Sequence, residues 1–232
     1  MLRVGERLQT VTSMVPSCHT MADIGTDHGY VPACLALSGQ CRRVIASDIA
    51  EGPCQAAIET RNKYNLHNEM EVRMAPGLQG LRVGEAEAVV IAGMGGATIT
   101  FILEECPEVA ASVTTFVLQP MNAAGLLRRW LAQHGYRIEE EALCKENNHI
   151  YSIIKAVHGE GMQDLSPLEA EFGPCILEKR PALWQEYMEG KAEHYRRLLR
   201  QMAASPAAVN SAKYNNLKKL LAQVDGLINK SV

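Results

Sequence analysis

The residues best suited to chemistry lie between positions 23 and 32, in the stretch D-I-G-T-D-H-G-Y-V-P. An apolar run that predicts a short strand precedes this stretch, and a run that predicts a helix over 32–39 ends it. Gly25 allows a tight turn, and Gly29 allows the backbone to come close to a ligand. A strand, a glycine-bearing turn and a helix start form the ligand-binding corner of a doubly wound α/β sheet. We therefore expect a small-molecule site at this corner.

Asp27 indicates which ligand this corner would accept. Dinucleotide-binding proteins carry G-x-G-x-x-G here, and Asp27 stands in place of the middle glycine. A carboxylate repels a pyrophosphate but attracts an ammonium group. S-adenosylmethionine carries an ammonium and a sulfonium and no phosphate, so the spacing favours this cofactor over NAD. An ordinary turn with solvated acidic side chains would also fit the motif taken alone.

Asp48 ends the next predicted strand, 21 residues after Asp27. A doubly wound fold places a carboxylate at this distance to accept hydrogen bonds from the ribose hydroxyls of an adenosine. A helix N-cap is the alternative role for Asp48. The distance from the first turn favours the ribose role, although one side chain can fill both.

A glycine-rich turn, Gly93-Met94-Gly95-Gly96, follows the continuous apolar run over 88–92. Such a run is typical of a strand buried in a parallel sheet. The glycines remove side chains at the strand end, where backbone can then approach a cofactor or a flat base. Met94 is either a soft apolar wall of this site or a packed core methionine.

Periodicity predicts a Rossmann-like α/β domain. We expect a helix over 1–16 and then parallel strands over 19–24, 43–48, 70–74, 88–92 and 115–119, with helices between them. Strands over 136–144 and 150–157 make seven in all, with the last inserted antiparallel. This arrangement is typical of class I methyltransferases rather than dehydrogenases.

The remainder of the chain is predicted to be helical. Residues 158–162 read as a linker, and Ser166-Pro167-Leu168-Glu169 matches a capping box with proline at the first helical position. Helices over 181–203 and 206–229 then form an antiparallel hairpin or short coiled coil. We therefore divide the chain into residues 1–160 and 161–232.

Charge is unevenly distributed along the 232 residues. Residues 1–178 carry 13 Lys and Arg against 22 Asp and Glu, a net −9, whereas residues 179–232 carry 10 against 4, a net +6. A basic tail on an acidic body indicates contact with a polyanion, although a merely solvated basic face fits the charge equally well. The predicted RNA-binding cations are Arg196, Arg197, Arg200, Lys213, Lys218 and Lys219.

Composition excludes several other classes of protein. No apolar run approaches membrane-spanning length, and the N-terminus lacks the apolar core of a signal peptide. Seven cysteines without a C-x-x-C pair favour reduced thiols in a cytoplasm over a zinc site or a disulfide framework. The seven histidines show no metal-binding spacing, so we expect no metal.

The motifs A-D-I-G-T-D-H-G-Y-V-P, S-D-I, I-A-G-M-G-G and L-Q-P-M, in this order, resemble the bacterial tRNA adenine-22 N1-methyltransferase family. The resemblance covers residues 1–158 well and continues less specifically through the helical tail. It implies a class I S-adenosylmethionine-dependent domain joined to a C-terminal helical coiled-coil domain. It also implies tRNA as the partner, and we favour a monomer.

The resemblance assigns residues to two roles. The implied cofactor-binding residues are Asp23, Gly25, Asp27, Asp48, Ile49, Pro76, Gly77, Gly93, Met94 and Gly95. The target base is expected near Met94 and near four residues given catalytic roles, Asp27, His28, Tyr30 and Gln119.

The glycine-rich turn also indicates which nitrogen would be methylated. Enzymes that methylate the exocyclic amine of adenine usually carry Asn or Asp before Pro-Pro after strand four, and this chain has no side-chain acceptor there. The ring N1 has a free in-plane lone pair, so its methylation needs orientation and charge stabilisation rather than deprotonation. Asp27 would supply negative charge, Gln119 would hydrogen-bond the base edge, and Tyr30 or His28 would stack on the base.

One departure from the family pattern matters for function. The family usually has Gly-Asp-Gly-Leu after strand three, and this chain has Ala75-Pro76-Gly77-Leu78. Proline offers no side-chain acceptor and no backbone donor. A catalytically impaired RNA-binding protein with a degenerate methyltransferase domain is therefore the alternative, and a small-molecule methyltransferase or an NAD-linked oxidoreductase fits the motifs less well.

Overall fold

Seven strands form one mixed sheet in the part of the chain that the structure describes. This structure is a computed structural model and describes residues 2–159 and 164–229. The strands in chain order are β1 Cys18–Ile24, β2 Cys41–Asp48, β3 Met70–Met74, β4 Ala88–Met94, β5 Thr115–Pro120, β6 Tyr136–Glu146 and β7 His149–His158. Their spatial order is β3-β2-β1-β4-β5-β7-β6. The first five are parallel and β7 is antiparallel to both of its neighbours, which confirms the seven-stranded expectation.

Helices cover both faces of the sheet and form the C-terminal part. They are α1 Glu6–Met14, α2 Tyr30–Leu37, α3 Glu51–Lys63, α4 Gly96–Glu105, α5 Pro107–Ser112, α6 Ala124–Gln133, α7 Pro167–Phe172, α8 Pro174–Lys179, α9 Trp184–Met202, α10 Pro206–Val209 and α11 Ala212–Asn229. A short 3-10 helix, Gly77–Gly80, follows β3. Alternate strand residues enter two hydrophobic cores: Ile91 and Leu118 pack on one face of the sheet, and Val90 and Val117 pack on the other.

Several predicted boundaries differ from the structure by a few residues, and two helices show the physical reason. The first helix begins at Glu6 because Gly5 has extended backbone angles and acts as its N-cap. The last predicted helix divides into α10 and α11, because the Ser211 hydroxyl accepts a hydrogen bond of 3.2 Å from the Tyr214 backbone N–H and starts a new helix. The predicted capping box at Ser166 and Glu169 is confirmed, with both reciprocal hydrogen bonds present.

β4 is also longer than predicted. It continues through Met94, which pairs with Pro120 after a bulge at Gly93. Gly93 has a φ of +77° there, and its N–H donates to Oε1 of Gln119 at 3.1 Å. The bulge therefore turns the end of the strand towards the site described below.

The first two C-terminal helices pack against the sheet domain. Arg128 on α6 is fully buried, and its Nε donates to Oε1 of Glu141 on β6 at 2.7 Å. Its Nη1 donates to the carbonyl oxygens of Ala170 and Glu171 at 3.0 and 2.9 Å. A buried ion pair needs such additional hydrogen bonds to offset its desolvation. α7 therefore completes the sheet domain, while the predicted division at 160/161 lies outside the described residues.

α9 and α11 form the expected helical hairpin. Their contact is a core that includes Tyr187, Tyr195 and Val224, and Leu143 and Ile150 of the sheet pack against the same core. The hairpin is therefore attached to the β6–β7 side of the sheet.

Candidate active site

A cavity of about 620 Å³ opens at the carboxyl ends of β1, β2 and β4. Open α/β sheets bind ligands at this edge, where the strand order reverses between β1 and β4. The cavity lies among Arg7, Leu8, Asp23, Ile24, Gly25, Thr26, Asp27, His28, Tyr30, Val31, Asp48, Ile49, Ala75, Pro76, Gly77, Ala92, Gly93, Met94, Thr98, Phe101 and Ile102. Most of the residues proposed from the sequence are thus brought together, and Gly95 and Gln119 are not on the cavity wall.

The loop after β1 is shaped by left-handed backbone angles. Gly25 has a φ of +72°, and a Cβ added there would overlap Cε of Met94. Asp27 adopts a φ of 52°, which a non-glycine residue rarely does. Gly25 therefore permits the loop to pass directly beside the Met94 side chain.

Asp48 at the end of β2 is linked to this loop. Its Oδ2 accepts a hydrogen bond of 3.3 Å from the Asp27 backbone N–H, and its Oδ1 accepts one of 3.1 Å from Ala50. The N-cap of α3 is Ala50, so Asp48 is not itself the cap. The carboxylate is half-buried on the cavity wall, where a ligand hydroxyl can reach it.

Asp23 lies deeper than the other acids. It is 4% exposed, and the Thr26 hydroxyl donates to its Oδ2 at 2.7 Å. Burial raises the pKa of Asp23 to about 7, and the nearby charge of Asp48 adds to this rise. The floor of the cavity therefore carries an acid whose charge changes near neutral pH.

Asp27, His28 and Tyr30 stand at the cavity mouth. The Asp27 carboxylate is 74% exposed and lies 3.7 Å from Nε2 of His28. The rings of His28 and Tyr30 stack with centroids 5.3 Å apart and planes 13° apart. Two aromatic faces beside an exposed carboxylate suit a flat, polar ring better than a flexible chain.

Known proteins are similar to this chain in sequence and in fold. Residues 4–154 match the family model described as a methyltransferase domain. The chain is 31% identical over 228 residues to the tRNA (adenine(22)-N(1))-methyltransferase of Bacillus subtilis, a match that covers 97% of this chain and 95% of that protein. The chain belongs to the tRNA (adenine-22-N1)-methyltransferase family.

Solved structures of the family superpose closely on this chain. The Bacillus subtilis tRNA methyltransferase TrmK matches with a TM-score of 0.84 and 28% identity, over 99% of each chain. The Streptococcus pneumoniae protein Sp1610, solved in complex with S-adenosyl-L-methionine, matches with a TM-score of 0.86 and 29% identity. That match covers 97% of this chain and 100% of the other. The likeness therefore includes the helical hairpin.

Gln119 lies outside the lining of the cavity. It is fully buried beneath the cavity, and its Oε1 accepts hydrogen bonds from Nη1 of Arg7 at 2.6 Å and from the Gly93 N–H. Its Nε2 is directed to the sulfur of Met121 at 3.6 Å. Gln119 therefore holds Arg7 and the glycine turn and does not line the cavity in this structure, so its contact with the base stays a prediction.

Arg7 is the main residue that the sequence interpretation missed. It lies on α1, and its Nε is 3.7 Å from Oε2 of Glu146 while its guanidinium lies 5.9 Å from the ring centroid of Tyr151. Phe101 on α4 was missed too, although it is 58% exposed at the cavity wall. No local motif marks either residue, because each reaches the cavity from a helix outside the strand ends.

Gly95 and Pro76 lie in the turns that follow β4 and β3, and only one of the two residues lines the cavity. Gly95 is the N-cap of α4, and a Cβ there would meet the Asn122 side chain rather than the cavity. Its contact with the cofactor stays a prediction. Pro76 and Gly77 do line the cavity, so the wall after β3 offers no hydrogen-bonding side chain.

The six predicted RNA-binding cations differ in their surroundings. Arg196 is half-buried and bonds to Asp225 at 2.5 Å, and Arg200 bonds to Glu193 at 2.9 Å. Arg197 is exposed and 3.0 Å from Nδ1 of His194. Within the described residues, ion pairs thus occupy two of the three predicted arginines on α9. Three exposed lysines on α11 have no charged partner in the described part of the chain: Lys213, Lys218 and Lys219.

The described part of the chain contains neither a metal-binding cluster nor a membrane-spanning helix. No group of three His, Cys, Asp or Glu side chains there is arranged to hold a metal ion. None of the helices in residues 2–159 and 164–229 combines the length and the apolar character needed to span a bilayer.

Proposed function

We propose that this protein transfers the methyl group of S-adenosylmethionine to N1 of an adenine in tRNA, in the cytoplasm. The observation that carries the proposal is the convergence of Asp27, Asp48 and the Gly93-Met94 bulge on one cavity. Two similarities support it: the Bacillus subtilis relative is named a tRNA (adenine(22)-N(1))-methyltransferase, and the similar Streptococcus pneumoniae structure holds S-adenosyl-L-methionine. The free cysteines fit a reducing compartment.

The residues around the cavity fit S-adenosylmethionine. A volume of about 620 Å³ is within the range of small-molecule and cofactor sites. Asp48 is available to the ribose hydroxyls, and the exposed Ile49 can cover one face of the adenine. Asp23 and Asp27 provide negative charge for the methionine ammonium. Gly25 and Gly93 both have positive φ angles, and a Cβ added at Gly25 would overlap Cε of Met94, so the backbone beside the cavity needs glycine at these two turns.

Bound S-adenosylmethionine supplies an activated methyl group, and the protein's own residues position the acceptor. A target adenine must leave its base-paired stack before its N1 is accessible. The stacked pair of His28 and Tyr30 is suited to hold such a base. Asp27 then offers a negative charge beside the ring, which becomes positive on methylation.

Arg7 and Gln119 take supporting roles in this proposal. Because Gln119 is buried, we assign it to positioning Arg7 and the N–H of Gly93. Glu146 partly neutralises Arg7, which limits the repulsion between this guanidinium and the methylated ring.

The helical hairpin is the proposed second contact with tRNA. Lys213, Lys218 and Lys219 are exposed along α11 and free of carboxylate partners in the described residues, so they can meet phosphates. Arg197 on α9 is exposed and has no carboxylate partner within the described residues, whereas Arg196 and Arg200 would have to exchange their acidic partners. We assign the sheet domain together with α7 and α8 to catalysis and the hairpin to tRNA binding, in a monomer.

Pro76 favours a second candidate, an RNA-binding protein that no longer methylates. The cavity wall beside Pro76 lacks a side-chain acceptor for the adenine amino group, which would weaken the binding of the cofactor. Calorimetric titration with S-adenosylmethionine separates the two. Binding in the micromolar range supports the enzyme, and no binding together with retained tRNA affinity supports the second candidate.

The function itself is tested by methyl transfer from labelled S-adenosylmethionine to unmodified tRNA. Nucleoside mass spectrometry, under conditions that prevent migration of the methyl group, should identify 1-methyladenosine. A methyl group on N6 or on guanine would contradict the proposed chemistry while leaving the fold intact.

A further inference from the structure

A second cleft adjoins the proposed active site on its α3 side. Its volume is about 390 Å³, and it shares His28 and Tyr30 with the main cavity. The remaining lining residues are Leu2, Arg3, Ala56, Glu59, Thr60, Lys63 and Tyr64. We call it the α3 cleft. His28 and Tyr30 form a wall that the α3 cleft shares with the main cavity. A ligand in the cleft therefore lies next to a ligand in the cavity.

The chemistry of the α3 cleft differs from that of the surrounding surface. Arg3 and Lys63 are exposed, and neither has a carboxylate partner within the described residues. Glu59 is the single acid in the lining. The cleft therefore carries a net positive charge on a body that is strongly acidic. Ala56, Glu59 and Lys63 recur at helical spacing, so one face of α3 presents them together.

Aromatic rings provide the second feature of the α3 cleft. The Lys63 ammonium lies 5.6 Å from the ring centroid of Tyr64, and Tyr30 also lines the cleft, in the wall that it shares with the main cavity. Tyr64 is half-buried, so its ring is anchored. An anchored aromatic face next to a cation is the pairing that binds an unstacked base together with its phosphate.

We infer that the α3 cleft binds one unstacked nucleotide of the RNA, immediately next to the target adenosine. Tyr64 stacks on its base, Arg3 and Lys63 contact its phosphate, and Glu59 can accept a hydrogen bond from a base amino group. The inference rests on the proposed function, because it assumes that the neighbouring cavity receives an RNA base. It explains how the strand is held while the target base leaves the stack.

Charge reversal tests the phosphate contact directly. Lys63→Glu is compared with Arg42→Glu, an equal charge change on an exposed residue near the start of β2, at the opposite end of the strand from Asp48. Equilibrium binding of an unmodified tRNA transcript is measured by fluorescence anisotropy over a salt series. Lys63→Glu should weaken binding about fivefold or more and reduce the salt slope by about one, while Arg42→Glu changes affinity less than about twofold. S-adenosylmethionine affinity should match wild type in both variants.

Abasic substitutions test the stacking contact. Synthetic tRNA with an abasic nucleotide on either side of the methylated adenosine is bound to wild type, Tyr64→Ala and Tyr64→Phe. One of the two abasic positions should weaken wild-type binding about fivefold or more, Tyr64→Phe should behave as wild type, and Tyr64→Ala should no longer discriminate. Equal discrimination in Tyr64→Ala would overturn the inference, as would equal tRNA affinities of Lys63→Glu and Arg42→Glu.

The two proposals fail in different ways. A wild-type protein that yields 1-methyladenosine, with Lys63→Glu indistinguishable from Arg42→Glu, refutes the α3 cleft alone. A wild-type protein that transfers no methyl group refutes the proposed function, and the Lys63 comparison still decides whether the cleft binds RNA.

Discussion

The guanidinium of Arg7 donates a hydrogen bond of 2.6 Å to the side-chain oxygen of Gln119 beneath the cavity. Gln119 is fully buried, and the same oxygen accepts the N–H of Gly93. One amide therefore connects the first helix to the bulge at the end of β4. The connection makes Arg7 a part of the site although it lies 112 residues away in sequence.

Removing the Gln119 amide should disturb the positions of Arg7 and of the bulge at Gly93. Gln119→Ala leaves two donors without their acceptor, so we expect at least about a tenfold loss of methylation rate and a free energy of unfolding lower by about 1–3 kcal/mol. Arg7→Ala should lower the rate by a similar factor. Both changes break the same Arg7–Gln119 hydrogen bond. The increase in activation free energy of the double variant should therefore be smaller than the sum of the increases of the two single variants. Fully additive losses would show that the residues act independently.

Asp48 should be required for cofactor affinity. A charge-assisted contact with ribose hydroxyls is worth about 1.5–3 kcal/mol, so Asp48→Ala should weaken S-adenosylmethionine binding at least about tenfold. The control is Glu51→Ala, an exposed acid in the first turn of α3. Calorimetry reports the affinity, and circular dichroism checks the fold. Unchanged affinity in a folded Asp48→Ala protein would rule out the ribose contact.

Asp23 should make stability and cofactor affinity respond to pH in opposite directions. Burial raises its pKa from the ordinary 3.8 to about 7, so between these values the folded state holds a proton that the unfolded chain has released. The free energy of unfolding therefore falls as the pH rises through this window. Asp23→Asn should remove that contribution, so its stability relative to wild type should increase from pH 5 to pH 8 in urea titrations.

The affinity for S-adenosylmethionine should rise as Asp23 ionises. Only the carboxylate form attracts the methionine ammonium, so wild-type affinity should increase between pH 6 and pH 8. In Asp23→Asn the affinity should change much less over this range. Equal pH profiles for the two proteins would contradict a role for Asp23 in the cofactor site.

Asp27→Asn separates charge from loop conformation. Asp27 has a φ of 52°, a conformation that asparagine tolerates and alanine does not tolerate well. If the carboxylate stabilises charge on the base, Asp27→Asn should lower the turnover number at least about tenfold at saturating substrates. If Asp27 only orders its own loop, the asparagine variant should be nearly as active as wild type, whereas Asp27→Ala should be impaired.

The exposed lysines of α11 should contribute to tRNA affinity. Replacing Lys213, Lys218 and Lys219 together by glutamate should weaken tRNA binding at least about tenfold, with a shallower salt dependence and unchanged cofactor affinity. The matched triple arginine variant keeps the charge and should bind as wild type does. Equal tRNA affinities for the glutamate and arginine variants would show that the hairpin only supports the fold.

Substitution is preferable to truncation for this question. Deleting the chain from residue 161 would also remove the carbonyls of Ala170 and Glu171 that Arg128 uses. The buried charge of Arg128 would lose part of its hydrogen bonding, so a loss of activity would reflect a damaged sheet domain.

Local sequence signals were enough to predict the Rossmann-like sheet and most of the acidic residues that line the site. Asp23, Gly25, Asp27 and Asp48 each follow or end an apolar run, and parallel strands place their carboxyl ends at one edge of a sheet. A motif at each strand end was therefore enough to predict that these residues meet in one cavity. Periodicity likewise predicted the antiparallel seventh strand and the helical hairpin.

Only the tertiary structure decided which side chains complete the site and which do not. Arg7 and Phe101 enter the cavity from helices, and Gln119 is turned beneath it by partners far away in sequence. Arg196 is neutralised by Asp225 across the helical hairpin, which no count of charges could show. These outcomes depend on long-range contacts, whereas periodicity and motif spacing report only on neighbours along the chain.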